Sequence, residues 1–154
     1  DIHEGIDSAL TLIHHELKGR VEVVRDYGEL QSLVCYPGKL NQVFLNLLVN
    51  ASQAIEGKGR IAIKTFESDG EVHVAITDSG KGISQQDLKS IFDPGFTTKG
   101  VGVGTGLGLS ICYRIVQQHQ GRIMVESKVG GGSVFTVVLP RLLHGDALVS
   151  RKRE

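Results

Sequence analysis

A single carboxylate and a dense run of glycines carry most of the chemistry this sequence can do. Residues 78–83 read D-S-G-K-G-I, residues 91–99 I-F-D-P-G-F-T-T-K and residues 100–110 G-V-G-V-G-T-G-L-G-L-S. Glycines at 100, 102, 104, 106 and 108 strip side-chain bulk from a whole loop, so its amides can lie against a polyanion and its backbone can change shape at low cost. Such a run also fits an ordinary surface loop. Thr97, Thr98 and Lys99 before it and a helical pattern from Leu107 after it favour phosphate. A helix N-terminus fed by a glycine loop offers orphan N–H groups and the positive end of a dipole.

Two more groups could reach a ligand. Asn46 and Asn50 fall about 40° apart on a helix, at the edge of an apolar stripe. Taken singly, each reads as a solvated flank residue; as an i, i+4 pair of amides beside a core, either oxygen could ligate Mg²⁺. Asp78 follows Val72, Val74 and Ile76 at a period of two, which turns its carboxylate inward. Burying it unpartnered would cost several kcal/mol, on the order of the penalty for an unpaired polar group. Either a structural donor or a ligand N–H must answer it.

The elements that position these groups are legible in outline. Ile2, Ile6, Leu10, Ile13 and Leu17 keep helical spacing behind a capping-box pair, Asp1 and Glu4, so one helix is expected to about Lys18. A strand is expected over 21–26 and a short extended piece over 33–36, before Pro37-Gly38. The asparagine helix is placed at 39–55, with Leu40, Val43, Phe44, Leu47, Leu48, Ala51 and Ile55 on one side. Strands at 60–66 and 71–77 form a hairpin around Asp69-Gly70. Ser84 with Asp87 caps a short helix to about Phe92. A helix from Leu107 buries Ile111, Cys112, Ile115 and Val116, and His119 continues that stripe as a packed residue. A last hairpin joins 122–127 to 133–139, and residues 141–154 read as a weakly ordered tail. The sum is an α/β (α+β) two-layer sandwich: a mixed, mostly antiparallel sheet packed on about three helices.

Composition narrows the classes. A length of 154 residues suits one domain with a real core. Seventeen basic and seventeen acidic residues cancel, so no nucleic-acid groove is expected and any basic grip is local. Cys35 and Cys112 have no disulfide-framework or metal spacing, which suits a reducing cytoplasm. No targeting pattern appears, and the longest apolar run is broken by Asn46 and Asn50, so a soluble chain is expected, compatible with a membrane-bound parent.

Taken together, these residues resemble the catalytic ATP-binding domain of bacterial sensor histidine kinases, in the superfamily shared with gyrase, the mismatch-repair ATPases and a heat-shock chaperone. N-L-L-V-N-A at 46–51 is similar to the family's N box, D-S-G-K-G at 78–82 to its first glycine box and F-D-P-G-F at 92–96 to its phenylalanine box. G-T-G-L-G-L at 104–109 looks like the second glycine box, and G-G-S-V-F at 131–135 like the closing strand motif. The resemblance covers residues 1–140 and implies a Bergerat-type fold binding ATP and Mg²⁺. It implies that Asn50 ligates the metal with Asn46 in support, and that Asp78 accepts from the adenine amino group. Gly80, Gly82 and Ile83 would shape the base site. Thr98 and Lys99 would reach the terminal phosphate, while amides of Gly104, Thr105, Gly106, Leu107, Gly108 and Leu109 hold the phosphates under a lid.

The implied acceptor is a histidine on a separate helical hairpin of the parent kinase, with a response regulator downstream. His15-Glu16-Leu17-Lys18 imitates the acceptor box, but Gly19-Arg20-Val21 follows where the family carries a proline, and too few residues separate it from Asn50 for a hairpin. Lacking the usual dimerising helices, the domain is expected to be a monomer. Gln53 and Ala54 stand where many relatives have Lys and an aromatic, so a lysine contact and an aromatic stack on the nucleotide are not expected from them, and Gly95 stands where a second aromatic is common, which implies a looser lid. Two rivals are a gyrase- or chaperone-type ATPase and a nucleotide-dependent interaction module. The first needs a glutamate base four residues before the metal asparagine, where this chain has Asn46, a poor base.

Overall fold

The structure, a computed structural model, describes residues 1–31, 33–94 and 108–141. Its sheet has the order β1-β2-β3-β5-β4, formed by β1 (Val21–Tyr27), β2 (Gly59–Ser68), β3 (Glu71–Asp78), β4 (Arg122–Ser127) and β5 (Ser133–Pro140). β1 pairs with β2 in parallel, and the other three pairings are antiparallel. A parallel pair needs a crossover, and α3 (Pro37–Ala54) supplies it. The mixed, mostly antiparallel sheet expected from the sequence is therefore observed.

The longer helices cover one face of that sheet: α1 (Ile2–Leu12), α3 and α5 (Gly108–Gln118), with α3 packed against both of the others. Between the layers lie Ile6 and Leu10 of α1, Leu40, Val43, Phe44, Leu47 and Leu48 of α3, and Cys112 and Val116 of α5. They meet Ile61, Ile63, Val72, Val74, Ile76, Val137 and Leu139 from the strands. Each fully buried side chain of this size contributes roughly 1.5–3 kcal/mol of transfer free energy. In β3 every second residue is buried, and Asp78 is the last of that set. Asp69 and Gly70, both with positive φ, make the tight turn between β2 and β3.

Four expectations are corrected. The first helix is interrupted at Ile13 (φ −104°, ψ 16°), beyond which α2 (His14–Leu17) forms a single turn. Ile13 and Leu17 remain buried, so the apolar period runs through a break that changes hydrogen bonding but not facing. No strand forms over 33–36: Val34 N–H donates to the Arg141 carbonyl at 2.9 Å, but a lone bond makes no ladder. α4 (Gln85–Leu88) stops short of Phe92, although Ser84 caps it as expected by accepting from Asp87 N–H at 3.1 Å. α3 starts at Pro37, two residues earlier than the pattern suggested, because proline suits a first helical turn whose N–H groups have no partner.

Candidate functional site

Asp78 ends the inward face of β3 with only 4% of its surface exposed. Its Oδ1 accepts the Gly80 N–H at 2.8 Å, and its carboxylate also accepts the amide of Ser133, its register partner on β5. Structural donors therefore answer part of the demand this acid makes. Two amides do not exhaust the acceptor capacity of a carboxylate, which offers about four lone-pair positions. Burial pushes its pKa up, and the Gly80 and Ser133 amides pull it partly back.

The loop after Asp78 is fixed from two sides. Lys81 N–H donates to the Ala54 carbonyl at the end of α3 (3.0 Å), and Gly130 N–H donates to the Lys81 carbonyl (2.8 Å). Ile83 N–H donates to Ser127 Oγ at 2.7 Å, and that hydroxyl also meets Ser133 Oγ at 2.7 Å. A methyl at Gly80 would collide with the Ala54 carbonyl, and one at Gly82, whose φ is +75°, with the Lys128 carbonyl. These two glycines are thus required by the approach of protein backbone on the side a Cβ would occupy.

Ala54 is also the end of a row on α3. Asn46, Asn50 and Ala54 are four residues apart, so they share a helix edge about 12 Å long at 1.5 Å per residue. Asn46 Nδ2 donates to the Gly108 carbonyl at 3.3 Å, tying α3 to the first turn of α5, while the Cys112 thiol of that helix donates to the Val43 carbonyl of α3 at 3.7 Å. Burial raises that thiol's pKa to about 12, so it is an inert packing group. Asn50, half-buried, makes no side-chain hydrogen bond with a described residue. An uncommitted amide thus stands between the turn that begins α5 and the loop that follows Asp78.

Gly108 and Leu109 open α5 and are half-buried. Thr98, Lys99, Gly104, Thr105, Gly106 and Leu107 lie outside the described residues, as does Gly95. His119 is buried and structural, as its place in the stripe implied: Nδ1 engages the Ile115 carbonyl at 2.9 Å and Nε2 accepts the Tyr36 N–H at 3.0 Å. Sequence reasoning missed Ser127 and the Ser133 amide as supports of the acid; the register of the last hairpin against β3 is the signal that would have found Ser133. Among the described residues no cluster of three or more His, Cys, Asp or Glu could hold a metal ion, and no helix is long and apolar enough to cross a membrane.

A family profile described as "Histidine kinase-, DNA gyrase B-, and HSP90-like ATPase" matches residues 35–143. The sensor histidine kinase ZraS of Escherichia coli K12 is 42% identical over 142 residues, which is 91% of this chain and 30% of ZraS. The signal transduction histidine-protein kinase AtoS of the same strain is 41% identical over 147 residues, 94% of this chain and 24% of AtoS. The chain thus spans less than a third of the length of either relative. Among solved structures, a nucleotide-free catalytic domain of the histidine kinase ThkA superposes with a TM-score of 0.81 at 30% identity, covering 92% of this chain and 95% of that one. The mycobacterial sensor histidine kinase MprB gives 0.81 at 28%, covering 91% and 94%. A match that takes in β3, α3 and α5 whole, and is shared with long sensor kinases and an isolated catalytic domain alike, shows that the chain belongs to this ATPase family, as an ATP-binding catalytic domain of the sensor-histidine-kinase kind.

Proposed function

We propose that residues 1–140 bind Mg-ATP and deliver its terminal phosphoryl group to a histidine on a separate helical hairpin of the parent kinase, from which a response regulator draws it. Residues 141–154 are a tail that takes no part in the transfer, and the domain acts as a cytoplasmic monomer. The observation that carries the proposal is the buried Asp78 carboxylate with spare acceptor capacity, one α3 turn-end away from the uncommitted Asn50 amide.

In this reading Asp78 accepts from the exocyclic amino group of adenine, with water excluded around it. Gly80, Gly82 and Ile83 form the edge on which the base rests. Asn50 would ligate Mg²⁺; among the described residues no carboxylate cluster could hold the ion, so phosphate oxygens and water would supply its other ligands, the usual habit of this ion. When bound, Mg²⁺ neutralises charge on the phosphate oxygens. Asn46 holds the first turn of α5 beside it, so the N–H groups at Gly108 and Leu109 face the phosphates. Thr98, Lys99 and the amides of 104–107 complete the phosphate grip.

The protein's task is positioning and charge neutralisation, which phosphoryl transfer chiefly requires. Asn46 cannot take a proton from water, and its amide is engaged with α5, which favours transfer over hydrolysis. The proposal is tested with γ-labelled ATP and a separate histidine-bearing helical bundle. Acid-labile, base-stable label on the bundle is expected; release of free phosphate alone, or no turnover, would count against it.

A further inference from the structure

Arg20 lies between α2 and β1, before the stretch that the family profile matches. Its guanidinium uses all five of its N–H donors. Nε donates to the Glu16 carbonyl (2.8 Å), Nη1 to the carbonyls of Ile55 and Gly57 (both 3.1 Å), and Nη2 to the Ser52 carbonyl (3.0 Å) and hydroxyl (2.8 Å). Four of these five acceptors belong to the end of α3 or the three residues beyond it. That helix end has no glycine cap: its C-cap, Ile55, is extended (φ −93°, ψ 120°), and no basic residue lies in its last turn. Arg20 therefore supplies from a distance both the donors and the positive charge that a helix C-terminus lacks.

Arg20 leaves the Ala54 carbonyl to the loop after Asp78, where it accepts the Lys81 N–H. Gly80 packs on that same carbonyl and sends its own N–H to Asp78. The main chain of Arg20 reinforces the arrangement: its carbonyl accepts the Gly59 N–H at 2.9 Å, while the next residue, Arg60, exchanges bonds with Ser79 through Ser79 N–H (3.1 Å) and Ser79 Oγ (2.9 Å).

From these contacts we infer that Arg20 is a positioning residue for the base-binding acid: it locks the last turn of α3, the turn locks Gly80 and Lys81, and those hold the Asp78 carboxylate in its accepting orientation. Through the Glu16 carbonyl the same guanidinium anchors α2, so the element that precedes the sheet and the floor of the base site move as one. The inference rests on the nucleotide reading of Asp78 given above.

The test measures ADP affinity by calorimetry, well below each variant's unfolding midpoint, together with hydrogen exchange at the Gly80 and Lys81 amides. Arg20→Gln is expected to weaken ADP by about three- to tenfold, within the range seen for residues that couple to a site without touching ligand. It is also expected to speed exchange at both amides, with Arg20→Lys falling between it and wild type. Tyr27→Phe, which removes a hydroxyl bond from the far end of β1 to Asp7 of α1, should leave both readouts unchanged. Should Arg20→Gln fail to fold, Ser52→Ala removes a single acceptor and is expected to shift both readouts in the same direction by less. A folded Arg20→Gln with wild-type ADP affinity and wild-type exchange overturns the inference while leaving the nucleotide site standing. A wild-type protein that does not bind ADP overturns both.

Discussion

α3 shows two stripes that differ in what they are for. Along one, Leu40, Val43, Phe44, Leu47 and Leu48 are each no more than 2% exposed and belong to the hydrophobic core. Along the adjoining edge, Asn46, Asn50 and Ala54 are half-buried and polar or small, and two of the three reach to other elements through single hydrogen bonds. The first stripe fixes where the helix lies; in the proposed function the second uses that fixed place to present groups to the nucleotide. Stability and function are thereby separable by a small rotation about one helix axis.

Substitutions along the two stripes test that separation. The largest effect is expected for Phe44→Ala, since deleting a fully buried ring from a packed core costs about 3–5 kcal/mol. A urea titration reads it directly, and a loss below about 1 kcal/mol would contradict the assigned packing. Next comes Asp78→Ala, which removes a charged acceptor worth about 1.5–3 kcal/mol, so ADP affinity should fall roughly tenfold or more. The variant is expected to keep its fold, and calorimetry showing unchanged affinity in a folded protein would remove the acid from the site.

Asn50→Ala should barely move stability, within about 0.5 kcal/mol for a half-buried residue with no described partner. Its signature is instead that nucleotide affinity loses its dependence on Mg²⁺. An unaltered metal titration would defeat the ligand assignment.

The smallest effect concerns pH. Because burial raises the Asp78 pKa, the folded state holds this proton to higher pH than the unfolded chain, whose carboxyl titrates near about 4. The stability associated with that proton is present below the unfolded value and is lost as pH rises through the folded one. Relative to wild type, Asp78→Asn should therefore gain stability between acid and neutral pH. Unfolding midpoints whose difference stays flat from pH 3 to pH 7 would show that the carboxyl is not strained by its surroundings.

What the sequence revealed of this arrangement follows from range. The helix faces, the Asp69-Gly70 turn, the Ser84 cap and the inward aim of Asp78 depend on spacing within one element, and each is found where the pattern put it. The break at Ile13 escaped because hydrophobic period reports burial, which the break preserves. The missing strand at 33–36 needed a ladder partner that no local pattern can supply. Arg20 gave no local sign at all, since its α3 acceptors lie 32 to 37 positions away. The resemblance assigns the glycines at 80 and 82 to the base site without showing that on their Cβ side they also make room for the ends of α3 and β4. Motif resemblance names such residues without saying which neighbour imposes them.

The parallel pairing of β1 with β2 also orders assembly in time. A hairpin such as β2–β3 can zip from its own turn, whereas the edge strand can join only once the eighteen-residue helix between them has crossed the sheet and closed that longer loop. In refolding followed by pulse-labelled amide exchange, protection should reach Ile63 and Val74 before Val23, so the surface that presents the two asparagines is laid down before the N-terminal strand closes over its flank.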